Sequence, residues 1–247
     1  MAAAQTANPR CATDTSSGGL PPGEEPSRGK ASKFWDSLHV AGLCIGVSEY
    51  KYAGNLRNAV SDAEAFSAKL KAVAGCNSEV VRNPKTATAL RKSVTKRLEE
   101  KGLHSTPPKL FVLFYAGRGI QQGNKVYLVP GDADIEEVVD CPRECLALDD
   151  LLNSLRDTLD RPVREKVGAD QATVFLVMLD CCRIQLNRSF VDALACEPAP
   201  GSAPLKYTIL FSCSRTQTAS DGPSGGCSPF LQALLDEQHG FFAEGVM

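Results

Sequence analysis

Histidine is scarce in this chain of 247 residues: only His39, His104 and His239 occur. They are scattered, and no Cys-x-x-Cys pair accompanies them, so the spacing of a zinc site is missing. No apolar run approaches the roughly 18 residues that a membrane span needs. No basic start followed by an apolar stretch opens the sequence, so no secretory signal is expected. A surplus of positive charge is absent as well. Lys+Arg is 27 against Asp+Glu 29, a formal net charge of −2, whereas a nucleic-acid binder shows a basic excess. Neither a membrane nor a nucleic acid is an expected partner.

What is present suits a globular protein, with 43% hydrophobic and 23% charged residues. At about 150 residues per domain, the length allows one large domain and a tail. Residues 1–32, rich in Ala, Pro, Gly, Ser and Thr, have no apolar periodicity and read as a disordered tail. Residues 33–247 form the domain, with packing starting at Phe34 and Trp35. Ten cysteines are many, but the chain is long enough to bury its own core. Several lie inside apolar runs, where a free Cys acts as a small hydrophobe. Reduced thiols in a cytoplasmic setting are the expectation.

From Val40 onward, strands and helices alternate. Val40–Val47, Leu110–Tyr115 and Val174–Leu179 are unbroken apolar runs. Asn58–Ala74 carries Ala59, Ala63, Phe66, Leu70 and Val73 at helical spacing, with Gly75 as a stop. Thr86–Lys101 places Leu90, Val94 and Leu98 on one stripe, and Leu148, Leu151, Leu152, Leu155 and Leu159 mark a third helix. Short strands are expected at Glu79–Arg82, Val126–Val129 and Leu205–Phe211, and a last helix at Phe230–Glu237. Unbroken apolar strands separated by helices imply a mostly parallel sheet covered on both faces, an α/β fold. Such sheets carry their chemistry in loops beyond the carboxyl ends of the strands.

Two strand exits stand out: Phe114-Tyr115-Ala116-Gly117-Arg118-Gly119 and Leu179-Asp180-Cys181-Cys182-Arg183. The glycines of the first do not complete a dinucleotide fingerprint. Position 122 is Gln, and a strand follows where that fingerprint needs a helix. In the second, Cys182 lies just past a buried strand, and Arg183 supplies the positive charge that favours a nucleophilic thiolate.

These exits belong to a longer pattern. Ile45-Gly46-Val47-Ser48-Glu49-Tyr50, Asn55-Leu56-Arg57-Asn58-Ala59-Val60-Ser61-Asp62-Ala63, Tyr127-Leu128-Val129-Pro130 and Thr218-Ala219-Ser220-Asp221-Gly222 accompany them in order. From about Leu43 to Leu235 the chain resembles the caspase-like cysteine peptidases, the group of caspases, metacaspases and paracaspases. The resemblance implies a helix-sheet-helix sandwich with a mostly parallel central sheet. It divides the domain into a large part to about residue 187, a linker at about 187–204 and a small part at about 205–247. By resemblance Cys182 is the nucleophile, and the backbone N–H of Gly119 helps form the oxyanion hole. Asp62 and Asp180 match the acids that line the pocket for Arg or Lys before the cut bond in metacaspases and paracaspases. The expected partner is then a peptide or protein substrate with a basic residue at that position.

One position departs from the family. Where a Gly-His-Gly context is expected, this chain has Arg118. Arg stays protonated, with a pKa above about 12, so it is neither a general base nor a general acid. An impaired peptidase or pseudo-enzyme follows. The alternatives are a non-catalytic domain that binds basic peptides and an active peptidase with an atypical dyad. Asp149-Asp150 raises a calcium site, as in some metacaspases. Acids at a helix start are favoured without one, and no complete ligand set accompanies them, so no metal or other cofactor is assigned. The family usually adds another strand and helix after the last helix read here. The C-terminus therefore reads as truncated, which leaves the oligomeric state open.

Overall fold

The unbroken apolar runs pair side by side. The computed structural model describes residues 35, 38–100, 103, 106–122, 125–135, 140–160, 173–181, 184–185, 206–214, 218–236 and 239–242. The tail 1–32, His104, Cys182, Arg183 and the linker 187–204 lie outside the described residues. In chain order the elements are β1 (Val40–Gly46), α1 (Ala59–Ala74), β2 (Asn77–Arg82), α2 (Ala87–Glu100), β3 (Leu110–Gly117), β4 (Gly119–Gln122) and β5 (Lys125–Leu128). There follow α3 (Cys141–Glu144), β6 (Leu146–Ala147), α4 (Leu148–Leu155), β7 (Val174–Cys181), β8 (Ile184–Gln185), β9 (Tyr207–Phe211) and α5 (Pro229–Leu235).

Five strands form a parallel sheet in the order β2-β1-β3-β7-β9. Successive side chains of a strand leave on opposite faces, and both faces here are covered. Leu43, Ile45, Leu113, Tyr115, Val177 and Leu179 fill one core with Leu90 and Val94 of α2 and Leu151 and Leu155 of α4. Cys44, Val112, Phe114 and Met178 fill the other with Phe66 and Leu70 of α1 and Leu231 of α5. Phe66 stacks on Phe114 with ring centroids 4.6 Å apart. This two-sided burial is why the strands read as continuous apolar runs, and it is the expected helix-sheet-helix arrangement.

Helix α1 is docked tightly at the carboxyl end of β1. A Cβ on Gly46 would come within 2.6 Å of the Val60 Cα, so only glycine lets the first turn of α1 approach the strand. Gly75 ends the helix in the left-handed conformation at φ 56°.

A second sheet, β6-β5-β4-β8, was not legible as such. β4 runs antiparallel to β5 and parallel to β8. Its sequence, Gly119-Ile120-Gln121-Gln122, has little strand character of its own, so the β5 partner creates it. The helix expected through Leu159 narrows to Leu148–Leu155, and Arg156–Asp160 continues in a wider π turn. Six cysteines, Cys44, Cys76, Cys141, Cys145, Cys181 and Cys213, are free thiols. Cys227 departs from the all-reduced expectation: it is disulfide-bonded. No helix among the described residues is long and apolar enough to cross a membrane.

Candidate active site

The carboxyl ends of β1, β3 and β7 meet at one edge of the sheet. The pairing sets Gly46 beside Ala116, Ala116 beside Asp180 and Gly117 beside Cys181. Gly117 and Cys181 are the residues immediately before Arg118 and Cys182. Cys182 itself lies outside the described residues. Cys181 is buried in the sheet's core.

Arg118 is held through its backbone and one guanidinium nitrogen, while its buried Nε has no hydrogen-bond partner among the described residues. Its N–H donates to the Tyr50 hydroxyl at 2.7 Å. Its carbonyl accepts from the Tyr115 hydroxyl at 2.8 Å and from the Val129 N–H at 3.1 Å. The guanidinium lies 5.2 Å from the Tyr50 ring centroid, within the reach of a cation–π contact. Its Nη2 donates to the Gly54 carbonyl at 2.6 Å. Tyr50 is fixed in turn, because its N–H donates to Asn55 Oδ1 at 2.8 Å. Burial raises the Tyr50 phenol pKa, so it stays protonated near neutral pH. Gly117 leaves the space this arrangement needs: a Cβ there would sit 2.7 Å from the Tyr115 hydroxyl oxygen. Gly119 follows as the buried first residue of β4, opposite Leu128.

Arg118 stands at the rim of a narrow cavity of about 30 Å³, lined also by Leu56, Asp62, Asp180, Asp221 and Ser228. The fold brings the carboxylates here from three separate segments. Asp62 is in the first turn of α1, Asp180 is at the end of β7, and Asp221 is in the loop before α5. Asp62 is only 1% exposed. Its Oδ2 accepts from the Ser228 N–H at 3.2 Å, and its Oδ1 has no partner among the described residues. Burial pushes the Asp62 carboxyl pKa up to about 7, and the charges of Asp180 and Asp221 add to the rise. Burial raises Asp180 too, against a hydrogen bond from the Ser228 hydroxyl that favours the anion.

Ser228 ties the acids to the fold. Its hydroxyl bonds Asp180 and accepts the Leu231 N–H at 3.1 Å, capping α5. Asp221 holds the segment that leads into α1. Its carboxylate accepts the N–H groups of Arg57 at 2.5 Å and Asn58 at 3.2 Å, just before the helix. The Asn58 amide returns bonds to the Asp221 and Pro223 carbonyls at 2.5 and 2.9 Å. Gly222, at φ 77°, makes the turn that this clamp requires.

Of the residues expected from sequence, the structure gathers Asp62, Asp180 and Arg118 around one cavity and sets Gly119 beside it. Asp221 and Ser228 were missed as site residues. Asp221 stands in Thr218–Gly222, a stretch noticed only as part of a resemblance. Ser228-Pro229 is a helix-start signal readable in sequence, but its bonds to two buried acids are not. The remaining histidines offer no substitute base among the described residues. His39 lies before β1, at the opposite sheet edge, and His239 is exposed beside Asp236 at 3.5 Å. Asp149 and Asp150 open α4, and the Asp150 carboxylate is ion-paired with Arg91 at 3.1 Å. No group of three or more His, Cys, Asp or Glu side chains placed to hold a metal occurs among the described residues.

No curated protein matches the sequence. The sequence profile of the peptidase C14 caspase domain matches residues 40–239, a span that runs from the first core strand to just past α5. With the parallel sheet, its two helical layers and the cluster at the strand exits, that match establishes that the chain belongs to the caspase domain family of cysteine peptidases.

Proposed function

We propose that this chain is a metacaspase-type domain. It takes peptides with Arg or Lys before the cut bond and hydrolyses them poorly, because Arg118 stands where the base is needed. The observation that carries the reading is the convergence of Asp62, Asp180 and Asp221 on one cavity at the carboxyl edge of the sheet. A guanidinium or ammonium answers that charge, and guanidinium does so with bidentate geometry. The cavity of about 30 Å³ has room for little more than water, so a basic side chain enters as its walls part.

The resemblance makes Cys182 the nucleophile. A thiolate can attack a carbonyl, but the departing amine needs a proton. Arg118 does not supply one in the neutral range, and its guanidinium is committed to Gly54 and Tyr50. General acid–base help is worth about 10²–10⁴-fold, so hydrolysis should fall by at least that factor.

The test is turnover of reporter peptides with Arg, Lys or Asp before the bond. Weak or absent cleavage of the basic peptides is expected, with partial recovery in Arg118→His. Wild-type turnover at about 1–10³ s⁻¹ would instead make this an active peptidase with an atypical dyad. Tighter binding of the acidic peptide would refute the pocket assignment. The fixed guanidinium also favours a second reading, a non-catalytic domain that holds basic peptides in the same groove. Peptide binding without any cleavage, even in Arg118→His, selects that reading.

A further inference from the structure

A second cavity, of about 380 Å³, lies between the start of α2, the strands β5 and β6, and α3. Its size falls within the roughly 300–1,000 Å³ of small-molecule sites. Among the described residues it shares no lining residue with the acidic cavity. Among the described residues, four cations line it, Arg91, Lys92, Lys125 and Arg143, against one carboxylate, Asp150. In a chain of formal net charge −2, this is a strong local reversal of sign.

The local geometry explains the gathering. Arg91 and Lys92 come one turn after Ala87 and Thr88, on the stripe of α2 that borders the cavity. Lys125 and Tyr127 are two apart on β5 and therefore share a face of that strand. Ion pairing answers only part of the charge. Asp150 Oδ2 holds Arg91 Nη2 at 3.1 Å, which orients that guanidinium and leaves its other donors available. Arg143 pairs with Asp140 and Glu144, each at 3.1 Å, and neither of these acids lines the cavity. Lys92 and Lys125 have no ion-pair partner among the described residues.

Like charges gathered around one hollow repel one another and favour an anion between them. Asp150 was one of the two acids that raised a calcium site. With its carboxylate on Arg91 and three further cations around it, this hollow suits the opposite charge. Thr88 adds a hydroxyl, and Tyr127, 5% exposed, adds a ring wall. We propose that this cleft binds a phosphate-bearing small molecule, with Lys92, Lys125, Arg91 and Arg143 holding its phosphate oxygens. Phosphate offers several oxygens to several donors at once, which matches a site of two lysines and two arginines.

The experiment is calorimetric titration of the full chain at low salt with three probes: inorganic pyrophosphate, ADP and adenosine. Pyrophosphate and ADP should each bind at one site per chain, and adenosine should not. ADP binding more tightly than pyrophosphate would identify a nucleotide as the source of the phosphate, and the reverse order a free or simple phosphate. The double variant Lys92→Ala/Lys125→Ala should weaken binding about tenfold or more, each tenfold being 1.4 kcal/mol. Both lysines are exposed, so the variant should melt like the wild type and bind basic peptides equally well. That last readout separates this cleft from the acidic pocket. Added salt should weaken the phosphate complex. No binding at about 1 mM probe overturns the proposal, as does binding that the double variant leaves unchanged.

Discussion

Replacing Asp62 with Asn isolates the cost of a buried charge in the acidic cavity. Asp62 is 1% exposed, has one oxygen without a partner among the described residues, and accepts the Ser228 N–H on the other. Burial, reinforced by Asp180 and Asp221, lifts its pKa from the ordinary 3.8 to about 7. For an acid whose pKa is raised by folding, the stability contribution is whole below the unfolded value and is lost as pH rises through the folded one. The window therefore runs from about pH 4 to about pH 7. At 1.36 kcal/mol per pH unit, that gap converts to on the order of 4 kcal/mol, a large part of the roughly 5–15 kcal/mol that holds a domain folded. Asn keeps the shape and an acceptor for the Ser228 N–H, but it does not titrate. Its amide N–H₂ then occupies the partnerless position, which costs about 1–3 kcal/mol at every pH. The diagnostic is accordingly the slope. Urea unfolding of both proteins, from about pH 5 to about pH 8, should show the variant gaining on the wild type by roughly 2–3 kcal/mol. A difference that stays flat across that range, or grows as pH falls, refutes a buried, raised Asp62.

The same titration reaches binding: basic peptides should lose affinity as pH falls below about 7 and Asp62 takes up a proton, and peptide titrations at several pH values would show it. Ser228→Ala removes the α5 cap and the hydroxyl bond to Asp180. It should cost about 0.5–2 kcal/mol for the cap alone, read from thermal melts. Gly222→Ala would put a Cβ 2.2 Å from the Cys227 carbonyl oxygen at φ 77°. A loss of about 1–3 kcal/mol and weaker selectivity for basic peptides are expected, because the turn also carries Asp221. In limited iodoacetamide labelling near pH 7, Cys182 should react before Cys181, which is buried, and Cys44, whose pKa burial pushes up to about 12. Site mapping by mass spectrometry decides it, and equal labelling of the three thiols would refute an activated Cys182.

The layered fold was legible in residue order because its signals are local. The apolar runs at Val40–Val47, Leu110–Tyr115 and Val174–Leu179 are long enough to mark strands buried on both faces. The spacing of Ala59, Ala63, Phe66 and Leu70 marks the buried stripe of α1. The same runs, with the motifs at their ends, carried the resemblance to caspase-like peptidases, and residue identity alone exposed the Arg at position 118. Tertiary structure decided what depends on distant partners. β4 is a strand because β5 pairs with it, which its own four residues do not announce. Asp221 joins Asp62 and Asp180 because its carboxylate meets the N–H groups ahead of α1, 163 and 164 residues away in sequence. A carboxylate in a turn and a carboxylate in a helix look equally solvated in a list of residues. Only packing removes water from Asp62, aims the Ser228 backbone at it, and sets two other acids close enough to raise its pKa. Arg118 likewise reads as a lost base, but its fixed place on Tyr50 and Gly54 follows from the loop that folds over the strand ends.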